Sequence, residues 1–328
     1  MMMCDVFSIA SRLVPRDTTF LQASEVPEEF REPGILSGYR ACPATVRSCA
    51  GSLVRASNET VNFWTHFIPG VFFLLQALAH MGCSEGPYVV YLFSVAVFML
   101  TSSLAHGFWP VSTRGLDLSF FLDYAAMNIY AFGSACGNYA YYFAPGFHDT
   151  TLGRHYVGIA GMLSPICTLI ACLSRYPGCW KMQKISRLAG FAVLYTWTNL
   201  PLIYNLTVTQ RFDDLANELS HVVLLTIAAG VYGSHWPERW FPGSFDIIGS
   251  SHNLLHVFGT TAVYYQFCGL RKAKNRGFVP GNSADLQIFS AQVTSMMASV
   301  LMTDMVIIVT CLLSKARNFR TKFKHEDF

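Results

Sequence analysis

Apolar tracts of about twenty residues, nearly free of charge, recur along the chain with short polar breaks between them. Eight stand out, at about 62–82, 87–108, 119–143, 155–174, 188–206, 216–234, 249–268 and 287–313. A helix needs roughly 20 such residues to cross about 30 Å of hydrocarbon, where it satisfies its own backbone without help from water. The pattern therefore predicts an all-α, polytopic membrane bundle: a seven-span core plus an eighth, C-terminal span. The fifth and sixth tracts are the least apolar, one carrying Pro201 and several polar groups and the other opening on "ANELSH".

Three regions follow: an N-terminal segment over 1–60, the bundle over 61–313 and a basic tail over 314–328. Within the first, "CPATVRSCAGSLVRASNET" spaces Val46, Cys49, Leu53 and Val54 as a helix would, with Arg47 and Arg55 on other faces. That is the pattern of a helix lying on the membrane surface. The stretch "MMMCDVFSIASRLVPRD" has a short, broken apolar part with its basic residues after it, the reverse of a secretory signal, so insertion is expected to use an internal span. The chain shows no internal repeat and no low-complexity segment.

Composition agrees with this reading. Hydrophobic residues make up 52% of the chain and charged residues only 13%, against about a quarter charged in soluble domains. Lysine and arginine fix an orientation, because loops retained in the cytoplasm are enriched in them. With the N-terminus inside, 17 fall on the cytoplasmic side and six outside, "LRKAKNR" at 270–276 being the exception. The net charge of +3 is scattered, which excludes nucleic acid as a partner. Ten cysteines without a C-x-x-C pair exclude zinc fingers and a disulfide framework. Cys83 and Cys268 both fall at outer span ends, as a disulfide or as two unrelated thiols.

Polar residues inside spans are costly and mark function by default. Here they converge. Ser102 and His106 stand one turn apart near the end of the second span, Asp123 near the start of the third, and His252 and His256 one turn apart at the start of the seventh. The orientation places all five near the cytoplasmic face. Three imidazoles with an open fourth position make a catalytic-type zinc site. Asp123 then suits the orientation or deprotonation of a bound water, whose pKa zinc lowers to about 7, and Ser102 suits a supporting hydrogen bond. The plain alternative is that each histidine is a packed polar residue, since H-x-x-x-H alone has low specificity.

Other features have two readings each. Asn58, Glu59, Asn62 and His66 open the first span at the same depth: Asn62 and His66 brace the site, or the group caps a helix. "NET" and "NLT" at Asn58 and Asn205 fit the glycosylation pattern, Asn58 on the inner side and Asn205 close to the outer surface. "PGCWKMQKISR" at 177–187 could touch a G protein or simply set topology. Glu218 and His221 line a ligand cavity or bond neighbouring helices. "YAYYF" at 139–143 reads as an outer aromatic belt.

Together these residues resemble the progestin and adiponectin receptor family. The resemblance is carried by S-x-x-x-H at Ser102 and His106, "FLDY" around Asp123 and H-x-x-x-H at His252 and His256. "GILSGYR" at 34–40, "NETVNFWTHFIP" at 58–69 and "PERWFPGSFDIIGSSH" at 237–252 add to it, over about residues 25–315. The eighth span and this wording look like the membrane progestin receptor branch. Family members usually read G-H-S-H-Q around the second ligand, whereas Ser250 and Asn253 occupy the second and last of those positions here. The resemblance implies a zinc-containing bundle with His106, His252 and His256 as ligands and with Asp123 and Ser102 beside the bound water. It also implies a plasma-membrane or endomembrane location, and either of two activities. One is steroid (progestin) binding with rapid signalling through G proteins; the other is a ceramidase-like, zinc-dependent lipid amide hydrolysis. A purely structural zinc is the third option.

Overall fold

The computed structural model describes residues 20–81, 85–143, 146–176, 183–209, 215–277 and 281–326. Every predicted tract is helical. The elements are α1 (Val46–Ser52), α2 (Thr60–His80), α3 (Gly86–Phe108), α4 (Thr113–Tyr141), α5 (Thr151–Leu173), α6 (Gln183–Thr198), α7 (Leu200–Tyr204), α8 (Ala216–Ser234), α9 (Ser251–Asn275) and α10 (Ser283–Glu326). Among the described residues β-structure is limited to a bridge between Leu21 and Tyr39. The short α7 follows from Pro201, which removes a backbone donor from the fifth tract.

Among the described residues four helices are long and apolar enough to cross a membrane by themselves: Thr60–His80, Gly86–Val111, Thr151–Leu173 and Ala284–Ala316. Of the other tracts, α6 ends after 16 residues, and polar residues keep the rest below that standard. In α4 these include Asp117, Asp123 and Asn128, and α9 ends in the basic "RKAKN". Exposed Ile68, Phe72, Leu75 and Leu78 run down one side of α2, as expected of a face turned to lipid.

The chain forms two compact units. The first comprises residues 1–69, 102–119 and 220–265, and the second 70–101, 120–219 and 266–328. In the second, α4, α5 and α10 share a core around Phe121, Phe132, Tyr156, Val293 and Met297. Polar pairs lock helix to helix inside it: Tyr130 donates to Gln266 Oε1 (2.7 Å) and Asn128 to Thr168 Oγ1 (3.1 Å). Such bonds replace the hydrophobic drive that helices lack in lipid.

The expected aromatic belt at 139–143 is corrected here. Tyr141, Tyr142 and Phe143 are buried, and Phe143 stacks on Phe147 at 3.7 Å between ring centroids. The turn Phe147–Asp149 beyond α4 packs on Phe143, while the Tyr142 hydroxyl lies against Gly269 of α9. Asn205 is likewise buried and donates to the Tyr142 carbonyl (2.8 Å), so its amide is engaged inside the fold. Cys83 and residues 177–182 of the basic loop lie outside the described residues.

In the first unit the segment before α1 is an ordered strap. Tyr39 pairs with Leu21, the Asp246 carboxylate accepts from the Leu36 N–H (2.8 Å) and the Ser37 hydroxyl (2.5 Å), and Gly243 N–H donates to Gly34 (3.0 Å). The helix predicted on the membrane surface is α1, capped by Thr45, whose hydroxyl accepts from Ser48 N–H (3.1 Å). Cys49 faces inward while Val46 and Val54 stay exposed.

Gly34 sits at φ +85°, where a Cβ would strike the backbone of Glu238. Gly34→Ala therefore combines left-handed strain with a clash against unyielding backbone, at a cost of about 1–3 kcal/mol. Its purified protein should melt below the wild type; equal melting temperatures would show that the strap is not held at this point.

Candidate metal centre

Two elements of the first unit supply the three histidines. His106 lies in the last turn of α3, and His252 and His256 lie in the first two turns of α9, one turn apart on a single face. Each offers a ligand atom, and these atoms all lie within 4.8 Å of one another. His106 and His256 are buried and His252 is half-buried. The His106 and His252 Nε2 atoms are 3.3 Å apart, and nitrogens on a tetrahedral zinc at about 2.0–2.1 Å stand roughly 3.3–3.4 Å apart. The donor set, three imidazoles from two rigid helices with a fourth direction open, fits such a metal.

The outer nitrogens are occupied. The Glu59 carboxylate can only accept, so the 2.7 Å contact means that His106 Nδ1 carries the proton and donates it. His256 Nδ1 lies 3.4 Å from Thr65 Oγ1, whose own proton goes to the Val61 carbonyl (2.7 Å), so this ring also donates through Nδ1. Both Nε2 lone pairs are thereby left for the centre. His66 is buried and stacks on His256 at 3.9 Å between centroids.

Glu59 accepts two further bonds, from Asn62 Nδ2 (2.9 Å) and Trp109 Nε1 (3.1 Å). Burial alone would raise its carboxyl, but His106, the hydrogen bond from it and Arg40 outweigh that and hold it well below the usual carboxylate range. Arg40, on the strap, donates to the carbonyls of His106 (2.5 Å) and Gly107 (2.6 Å), closing the C-terminal end of α3. Its guanidinium lies 5.5 Å from the Trp109 ring, which stacks on Phe30 at 5.3 Å.

The start of α9 explains the two departures from the family wording. Ser250 is the cap, its hydroxyl accepting from Asn253 N–H (3.3 Å). Asn253 reaches back to accept from Gly249 N–H (2.9 Å), while its Nδ2 donates to Asn62 Oδ1 (2.7 Å). Glu238 secures the same turn by accepting from the Ser251 N–H (2.7 Å) and, through a very short bond, the Ser251 hydroxyl.

Of the other residues expected here from sequence, Ser102 is buried one turn before His106 on the same face of α3. Asp123 is partly buried on α4 in the second unit and is not one of the three clustered ligands. His221 bonds through Nδ1 to the Ala262 carbonyl (3.1 Å), an ordinary link between helices. Sequence reasoning missed the direct Glu59–His106 bond and the Arg40 contacts. The available signal was Glu59 standing three residues before Asn62 at a span start, beside residues already suspected of bracing the site.

A helical membrane protein with a buried three-histidine cluster is the class that fold and site define. Comparison narrows it. Residues 54–267 match the haemolysin-III related family, and the chain belongs to that family. It is 32% identical to membrane progestin receptor gamma-B of Danio rerio over 302 residues, 81% of this chain and 87% of that one. It is 34% identical to human membrane progestin receptor gamma over 255 residues, 74% and 77% of the two chains. With human membrane progestin receptor delta the identity is 34% over 265 residues, 75% and 76%. The family resemblance read from the sequence is thus borne out.

Glu238 yields a pH test. Burial pushes its carboxyl up, but hydrogen bonds from His235 and from the Ser251 hydroxyl and N–H hold it below its ordinary value. A depressed folded value stabilises the fold above the ordinary carboxylate range, and that stability is lost as pH falls through the folded value. Glu238→Gln should therefore melt below wild type at neutral pH, and the gap should close on acidification; a gap independent of pH would refute the charged cap.

Proposed function

We propose that this protein is a multi-pass plasma-membrane receptor for a progestin-type steroid, signalling rapidly through G proteins, with zinc held by His106, His252 and His256. The observation that carries this reading is the buried three-histidine cluster in a chain whose relatives are named membrane progestin receptors. A seven-span core, an eighth C-terminal span and a cytoplasmic N-terminus complete it, on the strength of 17 basic residues inside against six outside. Residues 1–60 are then the cytoplasmic segment, 61–313 the bundle and 314–328 the basic tail. The three histidines would lie near the cytoplasmic face, available to couple a ligand bound among the helices to that side.

Zinc, when bound, supplies a positive centre with an open coordination position, useful either as a structural clasp or as a Lewis acid. The imidazoles would hold it through Nε2, with Glu59 and Thr65 accepting the Nδ1–H bonds of His106 and His256. The family resemblance assigns Ser102 the role of a hydrogen-bond donor and Asp123 that of a proton acceptor to a metal-bound water. The same donor set would serve hydrolysis of a lipid amide, and Asp123 separates the two activities. A steroid site needs no proton acceptor, whereas amide cleavage does.

The deciding experiment combines metal analysis with ligand assays on the full chain in detergent. One zinc per chain is expected in the wild type and is lost in His252→Ala; saturable progestin binding is expected to survive Asp123→Ala. A wild type without stoichiometric zinc refutes the metal centre. Ceramide cleavage that vanishes in Asp123→Ala would replace the receptor with an enzyme.

A further inference from the structure

The Glu59 side chain is not used as a helix cap. It stands immediately before α2, where a carboxylate commonly accepts from the first backbone N–H groups, yet the donors it takes are the side chains of Asn62, His106 and Trp109. Two of these come from a chain segment about fifty residues away, and Glu59 is 6% exposed. Burying a carboxylate is costly without full hydrogen bonding, so its placement calls for a role beyond the local helix.

We propose that Glu59 is the positioning residue of the metal centre: it fixes the tautomer and ring angle of His106 so that the Nε2 lone pair meets the ion. The inference rests on the metal reading above and deepens it. With the proton held on Nδ1 at 2.7 Å from Glu59, His106 turns Nε2 toward His252 Nε2 at 3.3 Å. The carboxylate is itself immobilised. Asn62 is tied to Asn253 (2.7 Å), and Trp109 is wedged between Phe30 and Arg40. A fixed anion behind the ring also raises the electron density that His106 offers to a cation.

Competition with a chelator at fixed neutral pH, read as zinc per chain, tests this on the purified full-length protein. Wild type should retain about one zinc. Glu59→Gln, which keeps the shape and loses the charge, should release it at roughly 10–100-fold lower chelator concentration. It should also shift the visible absorption of the cobalt-substituted protein. Tyr130→Phe removes a helix-to-helix bond to Gln266 that has no part in the Glu59 network, and should hold zinc nearly as well as wild type. Retention in Glu59→Gln equal to wild type overturns the inference, and so does a loss in Tyr130→Phe as large as in Glu59→Gln, which would mean general loosening.

A wild type that binds no stoichiometric zinc refutes the metal reading and this role with it, a result distinct from equal retention in a zinc-loaded pair. Should Glu59→Gln fail to fold, histidine 15N spectra of the zinc-loaded wild type decide. The signal assigned by its disappearance in His106→Asn should show a protonated Nδ1 and a ligated Nε2. The reverse assignment overturns the proposal.

Discussion

One buried carboxylate organises the polar half of this molecule. Glu59 takes hydrogen bonds from Asn62, His106 and Trp109, and Asn62 passes the connection on to Asn253 at the start of α9. Two regions far apart in sequence thus share one anion, and a third joins them through Asn62. In a low-dielectric interior each bond in such a network is strong, and each missing partner exposes a costly unpaired group. The network therefore behaves as a unit: the end of α3, the start of α2 and the start of α9 assume their relative positions together or not at all.

The strap adds a second restraint on the same helix end. Arg40 grips the carbonyls of His106 and Gly107, so His106 is held by its backbone as well as by its ring. Arg40 can do this because the strap is anchored at Asp246 and because two glycines, Gly34 at φ +85° and Gly38 at φ +87°, let it bend where side chains would collide. The stretches "GILSGYR" and "PERWFPGSFD" lie about two hundred residues apart in sequence, yet they are two sides of one contact. That pairing is the physical content of the family wording.

The helices and the histidines were legible in the sequence because both are local patterns. Apolar runs of the right length became helices, and H-x-x-x-H put His252 and His256 on one face. Reading failed where the outcome depends on what the chain does next. Tyr141, Tyr142 and Phe143 look like a membrane belt, yet all three are buried, Phe143 under the Phe147 turn and Tyr142 against Gly269 of α9. Glu59 stood beside residues read as bracing the site, but its bond to His106 was hidden, because its distant partners lie across 47 and 50 residues and a carboxylate before a helix has an ordinary use as a cap. Polar residues spread along α4 and α9 likewise keep those helices from being apolar enough to cross a membrane by themselves.

The two departures from the family pattern separate the histidines of the cluster from the scaffold that holds them. Position 250 supplies the cap of α9, a task that serine performs well through its hydroxyl. Position 253 reaches back to the Gly249 N–H and outward to Asn62, work that needs an acceptor and a donor on one short side chain. Asparagine has both, as the longer glutamine would. Neither side chain offers a ligand atom to the cluster, so their identities can change while His252 and His256 keep their face of the helix. What they do control is where the first turn of α9 begins, and a slip of one residue there would rotate the histidines by about 100° away from His106. The scaffold positions are constrained by hydrogen-bond geometry, whereas the ligand positions are constrained by residue identity.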